Sequence, residues 1–217
     1  MPRAAATIVA LLIGVTGAAV AAPVSSGSPR SEAAHSRQVV DHTRVIRISP
    51  VTREGHLSHG FHVTHRDGRA TCWTQSIAVA HAFRCMNGRS SILDPCWVQR
   101  VTGHWVICLE APWERKVVRL HVTKGFAHLP RGERHPEPWA MTTMSGVHCV
   151  QSQGASDEVG KYGISYPCDR RRALLAEPDR RVQPWTMHQA KQAHNHWRLA
   201  GEVRIARAFY GRRSLNP

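Results

Sequence analysis

Four histidines set three apart, six cysteines and a basic C-terminal third are the parts of this 217-residue chain with residue types able to do chemistry. His56, His59, His62 and His65 lie in GHLSHGFHVTHRDG. On a strand such steps alternate between faces, so His56 would share one face with His62 and His59 the other with His65. Neutral imidazoles suit Zn²⁺, Cu²⁺ or Ni²⁺. No carboxylate falls inside the row, however, and Glu54 and Asp67 only flank it. A polar tether in a histidine-rich chain is the simpler expectation, with metal binding left open. The pair His194-x-His196 reads the same way.

Nucleophiles are poorly supported. Ser145-Gly-Val-His148-Cys149, with His59-Gly60 upstream, is only loosely similar to the S-[HR]-G-C motif of L,D-transpeptidases, because Val147 and His148 separate the glycine from the cysteine. A catalytic Cys149 would also leave the other five cysteines odd in number. Gly163-Ile-Ser165-Tyr-Pro167 has proline where a nucleophile elbow needs its second glycine. Paired glycosidase carboxylates can come from anywhere in a chain, yet Asp94 before Pro95 reads as a turn residue capping local amides. There is no HExxH, no phosphate loop and no dinucleotide fingerprint, so no cofactor is implied.

The charge is more informative. The chain carries +14, with 25 arginines and only 4 lysines. From Lys161 onward 12 basic residues face 4 acidic ones. Arg170, Arg171, Arg172, Arg180 and Arg181 lie there between two expected strands, near Tyr166 and Trp185, and are the candidate anion-binding residues. Arginine forks beside aromatic rings grip phosphates, carboxylates or sugar faces. A cationic exported protein would concentrate at an anionic cell-wall or extracellular polymer.

The elements that must position these residues are organised around Cys72 to Cys108. That stretch holds Cys72, Cys85, Cys96 and Cys108, interleaved with Trp73, Trp97 and Trp105. Met1-Pro-Arg, an uncharged apolar run from Thr7 to Val20 and Ala19-Val20-Ala21 together have the form of a cleaved signal peptide over residues 1–21. The apolar core falls short of the roughly 18–20 residues needed to span a bilayer, so no span is expected in the mature form. Export makes an even set of cysteines a set of bridges. No two have the close spacing of zinc ligands. Cys149 and Cys168 stand apart and are expected to pair. Within the cluster the favoured pairing is Cys85–Cys96 nested inside Cys72–Cys108.

Residues 22–67 read as a flexible, histidine-containing tether, with a short strand possible at Val45-Ile46-Arg-Ile48. The expected domain covers 68–212, and 213–217 form a C-terminal tail. Val118, Leu120 and Val122 alternate with Arg119, His121 and Thr123. Trp139 to Met144 and Val147 to Val150 flank Ser145-Gly146 as a hairpin would. Tyr162, Ile164 and Tyr166 alternate up to Cys168. Val203 to Tyr210 reads as a last strand, which an amphipathic helix from His194 to Leu199 could precede. The fold class is mainly β: one small disulfide-stapled antiparallel domain, with at most that one short helix.

The order C-W…S…A-F-R-C, D-P-C-W, C-L-E-A-P-W, P-W-A-M…G-V-H-C and a terminal A-F-Y-G resembles a group of small secreted actinobacterial proteins. They share C…S…A-[aromatic]-R-C followed by D-P-C-[aromatic], and have no established function. The resemblance spans Cys72 to Gly211 and implies export, disulfides and a β-rich domain. It assigns no catalytic residue. The expectation is a secreted, non-enzymatic binding protein of the cell envelope or extracellular space. The alternative is an extracellular cell-wall hydrolase or transpeptidase.

Overall fold

The computed structural model describes residues 41–88, 91–99, 104–124, 136–154 and 156–212, without the side chains of 65–67. The expected signal peptide, residues 22–40 of the expected tether and the C-terminal tail lie outside the described residues, which contain strands and no helix.

The first layer is a closed barrel of β2 (His62–Gln75), β3 (Phe83–Asn87), β4 (Ser91–Gln99), β5 (Trp105–Leu109) and β6 (Lys116–Lys124). Neighbours are antiparallel, and a parallel β2–β6 pairing closes the ring. Leu120 and Val122 point inward with Ala70, Cys72, Phe83, Cys85, Cys96, Val106 and Cys108, so the expected alternation in β6 holds. The interior is narrow: a Cβ on Gly68 would lie 2.6 Å from a Leu120 methyl.

The second layer contains β1 (Arg44–Ile48), β7 (Ala140–Thr143), β8 (His148–Val150), β9 (Glu158–Val159), β10 (Tyr162–Cys168), β11 (Arg172–Asp179), β12 (Thr186–Ala193) and β13 (His196–Gly211). The strand order is β1-β13-β12-β11-β10-β8-β7. An extra β13–β7 pairing turns all but β1 of that order into a second ring. Met141, Cys149, Tyr166, Leu174, Met187 and Ile205 fill one face of it. The β7–β8 hairpin turns at Gly146, whose φ of 74° needs no Cβ. A third cluster joins the layers, setting Trp97, Ile107, Leu109 and Val117 against Trp139, Ala140 and Phe209.

All three disulfides join directly opposed residues of adjacent antiparallel strands: Cys72–Cys85, Cys96–Cys108 and Cys149–Cys168. The last agrees with expectation; the nested pair does not. In the barrel β2 touches β3 and β6 but not β5, so Cys72 cannot reach Cys108. Cys96 faces Phe83 across β3, whereas Cys85 faces Leu93.

Two further expectations are corrected. Much of the supposed tether belongs to the fold. β1 pairs in parallel with the end of β13, Val51 is buried, and Ile46, Ile48, Leu57 and Phe61 pack on the shared core. The His194–Leu199 helix is absent because His194 and Asn195 both have positive φ, 47° and 64°. Together they form the two-residue turn that suits the twist of a hairpin. Ala193 therefore pairs with His196, and Trp197 and Leu199 become strand residues.

Candidate functional site

The five candidate arginines do not form one cluster. Arg170 and Arg171 occupy the turn before β11, with φ of 59° and 54°, whereas Arg180 and Arg181 follow its far end. Eight strand residues separate the sets, about 25 Å of extended chain. Arg181 is engaged by Asp179 through Nε at 2.9 Å and a second nitrogen at 2.8 Å. Those contacts hold the Asp179 carboxyl at about 2, below its usual value. Arg180 lies over the Trp185 ring, 5.3 Å from its centroid.

Register builds a different group at the near end. Arg172 is directly opposite Lys191, and Lys191 is directly opposite Arg198. Three cations thus form a row across β11, β12 and β13. Strand alternation puts Arg172 on the face of Leu174, and Lys191 on that of Gln189 and Met187. This is the face that forms the interior of the second ring, so the row stands at its rim. Arg170 and Arg171 extend the row from one turn, and exposed His194 and His196 border it from the other. Asp169 lies next to Arg170, but its carboxylate is 3.5 Å from Nδ1 of His148. Among the described residues none of the five rim cations makes an ion pair. Like charges directly opposed across strands cost stability, so the row is not there to hold the sheet together. Lys191 and Arg198 were missed in the sequence because their place depends on the His194-Asn195 turn.

Sequence-based nucleophiles fare worse. All six cysteines are in disulfides, so Cys149 has no thiolate and the transpeptidase reading loses its reactive group. Among the described residues Ser165 makes no side-chain hydrogen bond to a base. Asp94 is more than a turn residue. It is buried, and its two oxygens accept from Ser76 Oγ and from the Ile77 amide at 3.2 Å. The Arg84 Nε lies 3.4 Å away. Burial raises its carboxyl to about 6 against those contacts. Ser76 Oγ in turn accepts from the amides of Ala78 and Val79, each at 3.1 Å. The motif residues Ser76, Arg84 and Asp94 therefore form one network that fixes the loop after β2. Ser76 has no exposed surface, so a substrate cannot reach its hydroxyl.

The histidine row is dispersed. His56 sits in a tight turn closed by Thr52 N–H to the His56 carbonyl at 2.8 Å. His59 is in the following loop, His62 opens β2, and the His65 side chain lies outside the described residues. Among the described residues no three His, Cys, Asp or Glu side chains gather as a metal site would require. His59 instead lines a cleft with Arg47, Arg53 and Arg212. No helix of the described residues is long and apolar enough to cross a membrane. No family model, curated protein or solved structure matches this chain.

Proposed function

We propose that this chain is an exported, non-enzymatic binding protein whose basic rim holds anionic polymers at the cell envelope or outside the cell. The observation that carries the reading is the in-register row Arg172–Lys191–Arg198, continued by Arg170 and Arg171 and left without carboxylate partners among the described residues. Guanidinium and ammonium groups on a sheet edge are spaced by the strands, about 4.8 Å apart. A flexible polyanion can match that spacing by rotating about its own backbone bonds. Three disulfides fit an oxidising compartment.

The test is binding to long-chain polyphosphate across a salt titration. Attraction through neutralised phosphates releases counterions, so log K should fall linearly with log salt. Serine at Arg170, Arg171, Arg172, Lys191 and Arg198 should flatten the slope by roughly 3.5–4.5, near 0.7–0.9 for each phosphate no longer neutralised. The control places serine at the exposed Arg44, Arg69, Arg180, Arg181 and Arg204, removing the same charge elsewhere. Equal loss in both variants would assign the attraction to net charge and end the rim proposal.

A further inference from the structure

The loop after β1 doubles back over the end of β13 and leaves a cleft of about 540 Å³. Its frame is made by backbone hydrogen bonds. Arg212 N–H donates to the Ile48 carbonyl at 2.7 Å, Ser58 N–H to Pro50 at 2.8 Å, and Val51 bridges Leu57. On this frame stand Arg47, Arg53 and Arg212, with His59, the half-buried Phe61 and one carboxylate, Glu54. Glu54 offsets only part of the arginine charge, Arg53 being a minor cause of its lowered carboxyl. Among the described residues it makes no ion pair with the three arginines, and its carboxyl is held below the usual range chiefly by the Thr52 hydroxyl. The lining residues thus carry three arginines against one glutamate, a surplus of two positive charges that suits a phosphate monoester near −2 better than a single carboxylate. The volume lies in the range of small-molecule sites, roughly 300–1,000 Å³, and is far larger than a bare phosphate fills. Phe61 offers the apolar flank on which a sugar ring can rest, its opposite support being the Arg115 guanidinium 5.6 Å from the ring centroid.

We propose that this cleft binds a sugar phosphate, with Arg47, Arg53 and Arg212 around the phosphate and the sugar ring against Phe61. The site is independent of the rim: Arg198 lies near the start of β13 and Arg212 just past its end, at opposite ends of a 16-residue strand.

The experiment is calorimetric titration of the full chain with glucose 6-phosphate, inorganic phosphate, glucuronate and glucose at low salt. Glucose 6-phosphate should bind about tenfold or more tightly than phosphate or glucuronate, and glucose should give no heat. The double variant Arg53→Gln/Arg212→Gln should weaken the sugar phosphate by about tenfold or more while far-UV circular dichroism and polyphosphate binding at the rim stay as they were. Phe61→Leu, which keeps an apolar side chain on the core, should erase the preference over inorganic phosphate. Absence of glucose 6-phosphate binding, equal binding of glucuronate or inorganic phosphate, or indifference to the double variant would each overturn the proposal. A rim that fails to bind polyphosphate would leave these outcomes readable.

Discussion

A Cβ atom on Gly211 would stand 1.8 Å from Cγ2 of Val79. The glycine ends β13 and the valine lies in the loop after β2, so the contact is where the two layers meet. Neither side has room to give. Val79 is buried and its amide is held by Ser76 Oγ, while Gly211 is paired with Ile48 in β1. The terminal glycine of A-F-Y-G is thus required by close approach.

Gly211→Ala should therefore destabilise by about 3 kcal/mol, the upper part of the usual range for overpacking. For a domain of this size that lowers the melting temperature by roughly 6–12 °C. Val79→Ala alone should cost about 2 kcal/mol of lost burial. Combined, the two should melt above Gly211→Ala alone, because the second change removes the atoms struck by the first. A Gly211→Ala protein that melts with the wild type would show that the layers do not approach this closely.

Asp94 makes the fold pH-sensitive in an identifiable direction. Its carboxyl rises from 3.8 to about 6 on burial, so the native state holds its proton more tightly than the unfolded chain. Below 3.8 both states are protonated and the group contributes nothing. As pH rises from about 4 to about 6 the unfolded state gains from ionising first, and roughly 3 kcal/mol of stability is lost. Urea unfolding at pH 4 and pH 7 should show this loss in the wild type. Asp94→Asn, which cannot ionise, should lack that portion. If both proteins change equally between the two pH values, Asp94 is not the group responsible.

The bridge pattern is checked by proteolysis without reduction. Linked peptides should contain Cys72 with Cys85, Cys96 with Cys108, and Cys149 with Cys168. Replacing Cys72 and Cys85 together by serine should cost about 3 kcal/mol in the chain-entropy account and leave the other two bridges in place. A peptide joining Cys72 to Cys108 would contradict the order of strands around the barrel.

What the sequence disclosed was what depends on neighbours along the chain. The alternation of Val118, Leu120 and Val122, the Ser145-Gly146 turn and the isolated pair Cys149–Cys168 are all of that kind. A β-bulge limits even this. The register shifts between Ile164 and Tyr166, and these two residues enter different apolar clusters although they alternate in sequence. Long-range register was not legible. A meander of antiparallel strands puts consecutive cysteines on adjacent strands, which favours the observed pairs over nested ones, but only once the strands are known. The row Arg172–Lys191–Arg198 needs two hairpin registers at once. The segment RVIRI reads as tether because its partner Arg207–Gly211 lies about 160 residues away.

Thr43 tests whether that segment is part of the fold. Its side chain is buried, and its Oγ1 accepts from the Trp185 amide at 2.8 Å while donating to the Ile205 carbonyl at 2.7 Å. Its own amide donates to Oε1 of Gln183 at 3.0 Å. The hydroxyl thus fills the place beside β13 where β12 pairing stops and β1 pairing begins. Thr43→Val keeps the shape and the backbone but removes the hydroxyl, leaving one buried donor and one buried acceptor without it. At about 1–3 kcal/mol for each abandoned buried polar group, the loss should reach about 2 kcal/mol or more, because the 2.8 Å bond from the Ile205 amide to the Trp185 carbonyl uses the other two backbone groups and satisfies neither orphan. Thr43→Ser retains the hydroxyl and should recover most of the difference, which separates the hydrogen bonds from packing of the methyl. Arg44→Ala, next in sequence but exposed, should change little. Thermal unfolding of the three variants decides the matter. If Thr43→Val melts with the wild type, the segment before β2 hangs free of the domain, and the cleft it frames loses one wall.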